Sequence, residues 1–210
     1  MSSPARPIRL FRYEFSGHSH RVELLLSLLG LAFERVEINL PQREHQTGEF
    51  AAKNPFLQVP VIEDGNVALA DSNAILVYLA RRYDLSRRWL PSDPIRAAYV
   101  QRWLSVAAGE LASGPRAAHL AAVFGKGNEL ERAQAIAYRL FGILEGHLAS
   151  RKFLIGRGPT IADVAIYSYS ACAPEGGVSL EPFPNLRSWL RRIEALPGFV
   201  PMKTTPAKVR

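Results

Sequence analysis

The chain has 210 residues, of which 48% are apolar, and a formal net charge of +7. This length and composition fit one or two globular domains and exclude a largely disordered chain. The charge excess lies wholly after residue 83, where 17 basic residues stand against 10 acidic ones, scattered over predicted helix faces. Scattered charge favours a solvated surface over a nucleic-acid stripe, so we expect no nucleic-acid partner.

The longest apolar run is far shorter than the roughly 18 residues of a membrane span. It covers 24–33 and is interrupted by Ser27 and Gly30. The N-terminus carries three arginines without the apolar core of a signal peptide. We therefore expect a cytoplasmic protein without a membrane partner. The single cysteine, Cys172, has alanine neighbours, which indicates a packing site and excludes an internal disulfide.

The first part of the chain predicts alternating strands and helices. Residues 8–13 are typical of a strand, and a Ser-Gly-His-Ser-His loop follows. Gly30 then ends a helix. The apolar face of that helix is formed by Val22, Leu25, Leu26 and Leu29.

A second strand and a hairpin complete this part. Alternation of Val36, Ile38 and Leu40 predicts the strand, and a weak helical pattern covers 44–53. Asp64-Gly65 predicts a hairpin turn. With a last helix after Ser72, the order over residues 1–83 is β-α-β-α-β-β-α.

Residues 84–94 contain two prolines and no periodicity, which indicates a linker. From 95 to 210 the pattern is helical throughout. The first of these helices begins with Asp93 as cap and Pro94 at the first helical position. Its predicted apolar stripe consists of Ile95, Ala98, Tyr99, Trp103, Val106 and Leu111.

Thr160 and Asp163 have the spacing of a capping box before a later helix. In such a box the two side chains bond each other's backbone amides. We therefore interpret Asp163 as a folding residue and not as a catalytic one.

The stretch from Asn54 to Ile75 carries the clearest ligand signal. Pro60 can only begin a strand, so Val59 before it is extended and its backbone groups are free to pair with a ligand. Asp71 and Ser72 open a helix, where capping side chains and free amides together bind an anion. A peptide-reading edge beside an anion site predicts a small, anionic, peptide-like ligand.

Four segments in order resemble the cytosolic glutathione transferases, and the likeness covers nearly all of the chain. They are Ser16-Gly-His-Ser-His-Arg-Val, Asn54-Pro to Val59-Pro60-Val61, Asp71-Ser72-Asn73-Ala74-Ile75 with Tyr78-Leu79, and Thr160-Ile-Ala-Asp163. The resemblance implies a thioredoxin-like first domain, an all-helical second domain and a homodimer with one glutathione site per chain. The expected fold class is α+β, with domains at 1–83 and 95–210.

The resemblance also implies residue roles. Pro60 would be a cis proline, and Val59 would pair with the cysteinyl part of glutathione. Asp71 and Ser72 would hold the γ-glutamyl amine and carboxylate, although many relatives have Glu where Asp71 stands. Ser16 lies at the hydroxyl position of the serine-type and related bacterial classes.

The reaction implied is attack of the glutathione thiolate on an electrophile. Lowering a thiol pKa by about two units requires roughly 2.7 kcal/mol, which one charge-assisted hydrogen bond from Ser16 would supply. His18 either donates a second bond to the sulfur or lies at the exposed helix entrance. Ser19 is a candidate helix cap.

Three residues are candidates for the glycine carboxylate: Gln58, which adjoins Val59, and Lys53 or His45. The electrophile pocket is expected between Tyr13 or Phe15 and the first long helix of the second domain. Tyr99 and Trp103 on that helix line the pocket or belong to the core.

The histidines at 18, 20 and 45 match no usual metal-ligand spacing, so no metal is expected. A transferase acting on small electrophiles is the leading interpretation. Two alternatives stay open: a glutathione-dependent disulfide reductase and a non-catalytic glutathione-binding protein of the same fold.

Overall fold

A computed structural model of the protein describes residues 4–125 and 129–205. The four strands are β1 Ile8–Arg12, β2 Phe33–Glu37, β3 Val61–Asp64 and β4 Val67–Ala70. The helices of the first part are α1 Gly17–Leu28, α2 Gly48–Lys53 and α3 Ser72–Tyr83. The later helices are α4 Pro94–Ala108, α5 Ala117–Phe124, α6 Leu130–Leu148, α7 Ile161–Ala171 and α8 Pro184–Glu194.

The strands form one mixed sheet in the order β2-β1-β3-β4. Strand β1 runs parallel to β2, with Ile8 opposite Phe33, and antiparallel to β3. Strands β3 and β4 form the expected hairpin, and Gly65 in its turn has φ +59°. This sheet with its helices, followed by helices alone, confirms the predicted α+β class.

Successive side chains of β1 lie on opposite faces of the sheet. Leu10 is fully buried in the main core, which it shares with α1, α3 and the helices of the second part. Phe11 belongs to a smaller core on the other face, together with Phe50 of α2 and Val61. The central strand is therefore covered on both faces, and α1 and α3 lie on the face that contacts α7.

Strand β2 begins and ends earlier than the alternation of Val36, Ile38 and Leu40 predicts. It covers Phe33–Glu37 because its partner β1 ends at Arg12. Beyond this end of the strand, the bond from Ile38 N–H to Arg12 O at 2.7 Å extends the pairing. Leu40 lies outside the strand.

Helix α4 buries only part of the predicted apolar stripe, because Trp103 is buried, as is Leu111 beyond the helix end, but the first turns are not. Its predicted cap is confirmed, since Asp93 accepts the amide of Arg96 at 2.8 Å. However, Ile95 is 66% exposed and Tyr99 52%. The buried positions are Val100, Trp103, Leu104 and Ala107. Packing against α7 selects this face, which apolar spacing alone could not distinguish from the outer one.

The start of α7 confirms the predicted capping box. Asp163 accepts the amide of Thr160 at 2.8 Å, and Thr160 accepts the amide of Ala162. The same carboxylate accepts the indole N–H of Trp189 and the amide of Leu154, both at 2.9 Å. Burial raises the pKa of Asp163, while these hydrogen bonds lower it. The carboxylate joins α7 to α8, as a folding residue should.

Among the described residues, no helix is both long and apolar enough to cross a membrane. Sheet and helices of the first part end at Tyr83, and α4 begins at Pro94. The domain limits 83 and 95 stay a prediction, and the predicted limit at 210 lies outside the described residues.

Candidate functional site

A cleft of about 540 Å³ lies where the sheet, the starts of α1 and α3, and the end of α4 meet. It brings together residues that are far apart in the chain. Its walls are formed by His18, Arg21, Asn54, Pro55, Phe56, Gln58, Val59, Pro60, Ala70, Asp71, Ser72, Asn73, Ala108, Ala112 and Arg116. Six of the nine predicted site residues are on this list.

The loop before β3 forms the first wall. Asn54, 3% exposed, fixes the loop because its side chain donates to Gln58 O at 2.7 Å and accepts the amide of Phe56 at 3.0 Å. The peptide bond between Val59 and Pro60 is cis. Within the described residues the backbone groups of Val59 have no hydrogen-bond partner, so this edge is available to a ligand.

The start of α3 forms the second wall. Asp71 has φ +70°, an uncommon backbone angle for a residue with a side chain, and its carboxylate accepts the amide of Ala74 at 2.9 Å. Ser72 follows and is 5% exposed. The remaining amides of this first helical turn and the Ser72 hydroxyl point to an anion site.

The start of α1 lies beside it. Ser16 is the cap of α1, because its hydroxyl oxygen accepts the amide of Ser19 at 3.3 Å. The prediction of Ser19 as cap is therefore wrong. Its hydroxyl instead accepts the amide of Tyr13 at 3.2 Å. Ser16, which directly precedes Gly17, is not among the residues that line the cleft.

Gly17 is required at the first helical position by a contact from the second part of the chain. A Cβ there would lie 2.7 Å from the ring carbon Cζ of Tyr169 on α7. The same tyrosine ring makes an edge contact with His18, with ring centroids 5.2 Å apart. Tyr169 thus supports the segment that presents His18 to the cleft.

His18 lines the cleft and contacts α3. Its Nδ1 lies 3.3 Å from the hydroxyl oxygen of Ser72. Burial lowers the pKa of His18 well below its usual value, and the charges of Arg21 and Arg116 lower it further. His18 is therefore neutral at pH 7.

Arg21 is a site residue that the sequence analysis missed. It is 1% exposed and donates through Nη1 to Asn73 Oδ1 at 2.9 Å and to Ser72 Oγ at 3.4 Å. Its Nε and Nη2 are enclosed and have no hydrogen-bond partner among the residues that the structure describes. Burial lowers its pKa to about 10, so the guanidinium stays charged. The sequence did contain a signal for Arg21, because this residue stands in the predicted apolar helix after the Ser16 loop. An arginine that is buried in such a helix needs a polar partner.

The third wall comes from the second part of the chain. Ala108 ends α4, and Ala112 and Arg116 belong to a π-helical turn, Ala112–Arg116. The two alanines have small side chains, and Arg116 brings a second guanidinium whose Nε has no hydrogen-bond partner in the described part of the chain. This wall therefore adds positive charge to an open part of the cleft.

The aromatic residues predicted for the electrophile pocket lie elsewhere. Trp103 is 7% exposed and packs against His147 in the core, while Tyr99 lies on the outer face of α4. Tyr13 and Phe15 contact each other and do not line the cleft. Trp103 therefore takes the core position that the sequence left open, and the place of the electrophile pocket stays a prediction.

Of the three candidates for the glycine carboxylate, only Gln58 lines the cleft. Lys53 is paired with Glu63 at 2.5 Å and lies over the ring of Phe11. His45 belongs to a 3₁₀ turn, Glu44–Gln46, outside the cleft lining. Lys53 and His45 thus lie outside the cleft that Gln58 lines.

Within the described residues, no group of three or more His, Cys, Asp or Glu side chains could hold a metal ion. Cys172 is buried, and this burial raises the pKa of its thiol, so it remains protonated. It lies outside the cleft lining.

Two family models match the chain. Residues 6–81 match the glutathione S-transferase N-terminal domain, and residues 106–197 match the C-terminal domain of the same family. The chain is 32% identical to mouse maleylacetoacetate isomerase over 92% of its own length and 90% of the relative's. The chain belongs to the cytosolic glutathione transferase family.

Solved structures of similar proteins agree with this family. The transferase superposes on a glutathione S-transferase from Pseudomonas fluorescens with a TM-score of 0.88 and 28% identity, covering 94% of this chain and 99% of the other. A glutathione transferase homologue from Drosophila mojavensis with bound glutathione gives 0.84 and 27% identity, with 91% and 89% covered. Glutathione is the ligand that this family binds.

Proposed function

We propose that this transferase activates glutathione as a thiolate for attack on a small electrophile. The observation that supports this proposal is one cleft that joins the free backbone edge at Val59 to the helix start at Asp71 and Ser72. The edge pairs with the cysteinyl residue of glutathione. The helix start holds the γ-glutamyl amine and carboxylate, and Gln58 holds the glycine carboxylate.

The charge of the cleft suits an anionic peptide. Arg21 and Arg116 carry positive charge, Asp71 carries negative charge, and His18 is neutral. The cleft therefore has a net charge of about +1, against a net charge of about −1 for glutathione and −2 for its thiolate. The extra positive charge stabilises the thiolate more than the thiol, which lowers the thiol pKa.

The sulfur lies close to His18 in this proposal, with Ser16 as the second candidate. The Ser16 hydroxyl oxygen accepts an amide hydrogen, but its own proton remains free to be donated. Ser16→Ala should keep glutathione binding and lose most turnover if Ser16 is the donor. An unchanged thiolate absorbance in a pH titration of that variant would exclude the role.

Glutathione-dependent isomerisation of a carboxylate-bearing alkene is a second candidate function. It is favoured by the similarity to maleylacetoacetate isomerase and by Arg116 on the open wall, whose guanidinium suits a substrate carboxylate. Such a substrate would accept and then release the thiolate without net consumption of glutathione. Arg116→Met should then reduce turnover of anionic substrates more than that of neutral ones.

The test compares three reactions under the same conditions: conjugation to an aromatic halide, reduction of a small disulfide, and isomerisation of a maleyl compound. Glutathione binding is measured separately by calorimetry. Conjugation above the uncatalysed rate supports the proposal. Activity confined to the disulfide, or binding with only uncatalysed rates, would contradict it and favour the reductase or the non-catalytic protein.

We also infer a homodimer, located in the cytoplasm and acting in detoxification. Three exposed apolar side chains support the dimer, since Phe56 is 81% exposed and Ile95 and Tyr99 extend the outer face of α4. Sedimentation equilibrium of the wild type and of Ile95→Asp tests it. The wild type should have twice the chain mass and the variant should dissociate, whereas a monomeric wild type would exclude the dimer.

A further inference from the structure

The Ser72 hydroxyl lies between two side chains of α1. Arg21 Nη1 is 3.4 Å from Ser72 Oγ, and His18 Nδ1 is 3.3 Å from the same oxygen. A guanidinium only donates, so Arg21 occupies one of the two lone pairs of the oxygen. One lone pair and one proton of Ser72 remain for His18 and for a ligand.

Among the described residues, His18 Nδ1 is the acceptor within hydrogen-bond distance of the Ser72 hydroxyl, at 3.3 Å, so we infer that it accepts the Ser72 proton in the free protein. The neutral imidazole then carries its hydrogen on Nε2. That nitrogen has no hydrogen-bond partner among the described residues, and it is not one of the enclosed unpartnered atoms. Since His18 lines the cleft, we infer that Nε2 is accessible there as a donor.

A bound γ-glutamyl carboxylate changes this arrangement. A hydroxyl donates more strongly to a carboxylate than to a neutral nitrogen, by about a factor of two, so the Ser72 proton moves to the ligand. If His18 kept its hydrogen on Nε2, the lone pairs of Nδ1 and Ser72 Oγ would face each other. A hydrogen on Nδ1 removes this repulsion, because it donates to the free lone pair of Ser72.

We propose that a carboxylate bound at Ser72 switches His18 to the tautomer with hydrogen on Nδ1, so that Nε2 accepts the thiol proton of glutathione. The inference rests on the proposed function, because the carboxylate is the γ-glutamyl group. The S–H bond breaks, its electron pair stays on sulfur, and its proton binds Nε2. The resulting imidazolium donates to Ser72 through Nδ1 and to the thiolate through Nε2.

The groups around His18 are consistent with this order of events. Arg21 on α1 and Arg116 on the π-helical turn are cationic, and Tyr169 on α7 and Ser72 on α3 are neutral. Two guanidinium groups disfavour an imidazolium in the empty cleft. They also stabilise a thiolate, so His18 gains its proton only when the sulfur beside it loses one.

The tautomers of histidine are distinguished by the nitrogen shifts of ¹⁵N-labelled rings. We would record these spectra at pH 7.5 for the free protein and with saturating S-methylglutathione, which has the glutamyl end but no thiol proton. His18 is assigned with His18→Gln. His20 is an internal reference, since its Nε2 donates to the carbonyl of Val200 at 2.9 Å in either state.

The expected result is hydrogen on Nε2 of His18 in the free protein and on Nδ1 in the complex, with His20 unchanged. The S-methyl derivative of γ-aminobutyryl-cysteinylglycine, which lacks the carboxylate, should bind without the change. Ser72→Ala should lose the ligand-dependent change, while Ser105→Ala on exposed α4 surface should keep it.

Calorimetry separates the two possible failures. Binding of S-methylglutathione without a change of the His18 tautomer would overturn this inference and leave the proposed function intact. A free protein that already carries hydrogen on Nδ1 would also overturn it. Absence of binding would overturn the proposed function and this inference with it.

Discussion

Two helix starts of this molecule use the same kinds of residue for opposite purposes. At the start of α7, Asp163 is 1% exposed and its carboxylate accepts hydrogen bonds from Thr160, Leu154 and Trp189. At the start of α3, Asp71 is exposed, and Ser72 contacts an arginine with two unpartnered nitrogens. One start is satisfied by the protein, and at the other we propose that the remaining donors bind a ligand.

The difference shows how folding and binding residues can be separated. A capping residue whose hydrogen bonds all end within the protein contributes to stability. An unpaired buried charge beside a capping residue lowers the stability of the fold, and a bound ligand compensates for this loss. Substitutions at the two starts should therefore change different quantities.

The largest effect is expected for Asp163→Ala. The substitution leaves the buried Trp189 indole and two amides without an acceptor, so the free energy of unfolding should fall by about 3 to 5 kcal/mol. Urea denaturation measures it. Should the variant yield no folded protein, Asp163→Asn, which keeps part of the bonding, should give a smaller loss.

The matched control is Asp93→Ala, because Asp93 caps α4 at an exposed position. Its loss should be about 1 kcal/mol. Equal losses at the two positions would contradict the special role of the α7 start.

The next effect concerns the pH dependence of stability. It involves His20, whose ring joins α1 to the hydroxyl of Ser168 and the carbonyl of Val200. Burial lowers the pKa of His20 from 6.5 to about 4, so the unfolded state binds the proton more tightly. Stability should be fully present above about pH 6.5 and should fall by about 3 kcal/mol as the pH decreases to 4. His18 and His119, whose pKa values burial also lowers, act in the same direction.

Urea denaturation at several pH values tests this, with His20→Gln as the comparison. The variant should show a shallower slope of stability against pH between 4 and 6.5. Equal slopes in the wild type and the variant would exclude His20 as the source.

Arg21→Met should separate stability from binding at the open helix start. The substitution removes an enclosed charge with two unpartnered nitrogens, so stability should stay equal or rise. Glutathione affinity should fall by about 1.5 to 3 kcal/mol with the loss of the charge that holds Ser72 and Asn73. Parallel calorimetry and denaturation measure both, and a stability loss without an affinity loss would make Arg21 a folding residue.

The sequence predicted elements whose signals are local. Helix caps at Asp93 and Thr160, the turn at Gly65 and the strand at Ile8 depend on neighbouring residues, and the structure has them. The buried face of α4 depends on which helix packs against it, and the apolar spacing did not contain that information. For this reason Ile95 and Tyr99, which were predicted to lie on the apolar stripe, are exposed.

The residues that line the cleft divide in the same way, into those with a local sequence signal and those without one. The wall from Gln58 to Pro60 and the start of α3 are contiguous stretches with turn and cap signals, and the sequence predicted both. Arg21 and Arg116 become site residues only through the tertiary contacts of α1 and of the π-helical turn. Lys53 on α2 lies outside the cleft lining and pairs with Glu63 on β3, a contact that only the folded chain brings about, and its predicted role stays a prediction.

The affinity of Ser72→Ala for glutathione tests the central claim most directly, because we propose that the Ser72 hydroxyl at the start of α3 binds the ligand. Calorimetry should show weaker binding than in the wild type by about 1 to 3 kcal/mol, with Ser105→Ala unchanged. Unchanged affinity in Ser72→Ala would contradict the account of the α3 start as the glutamyl site.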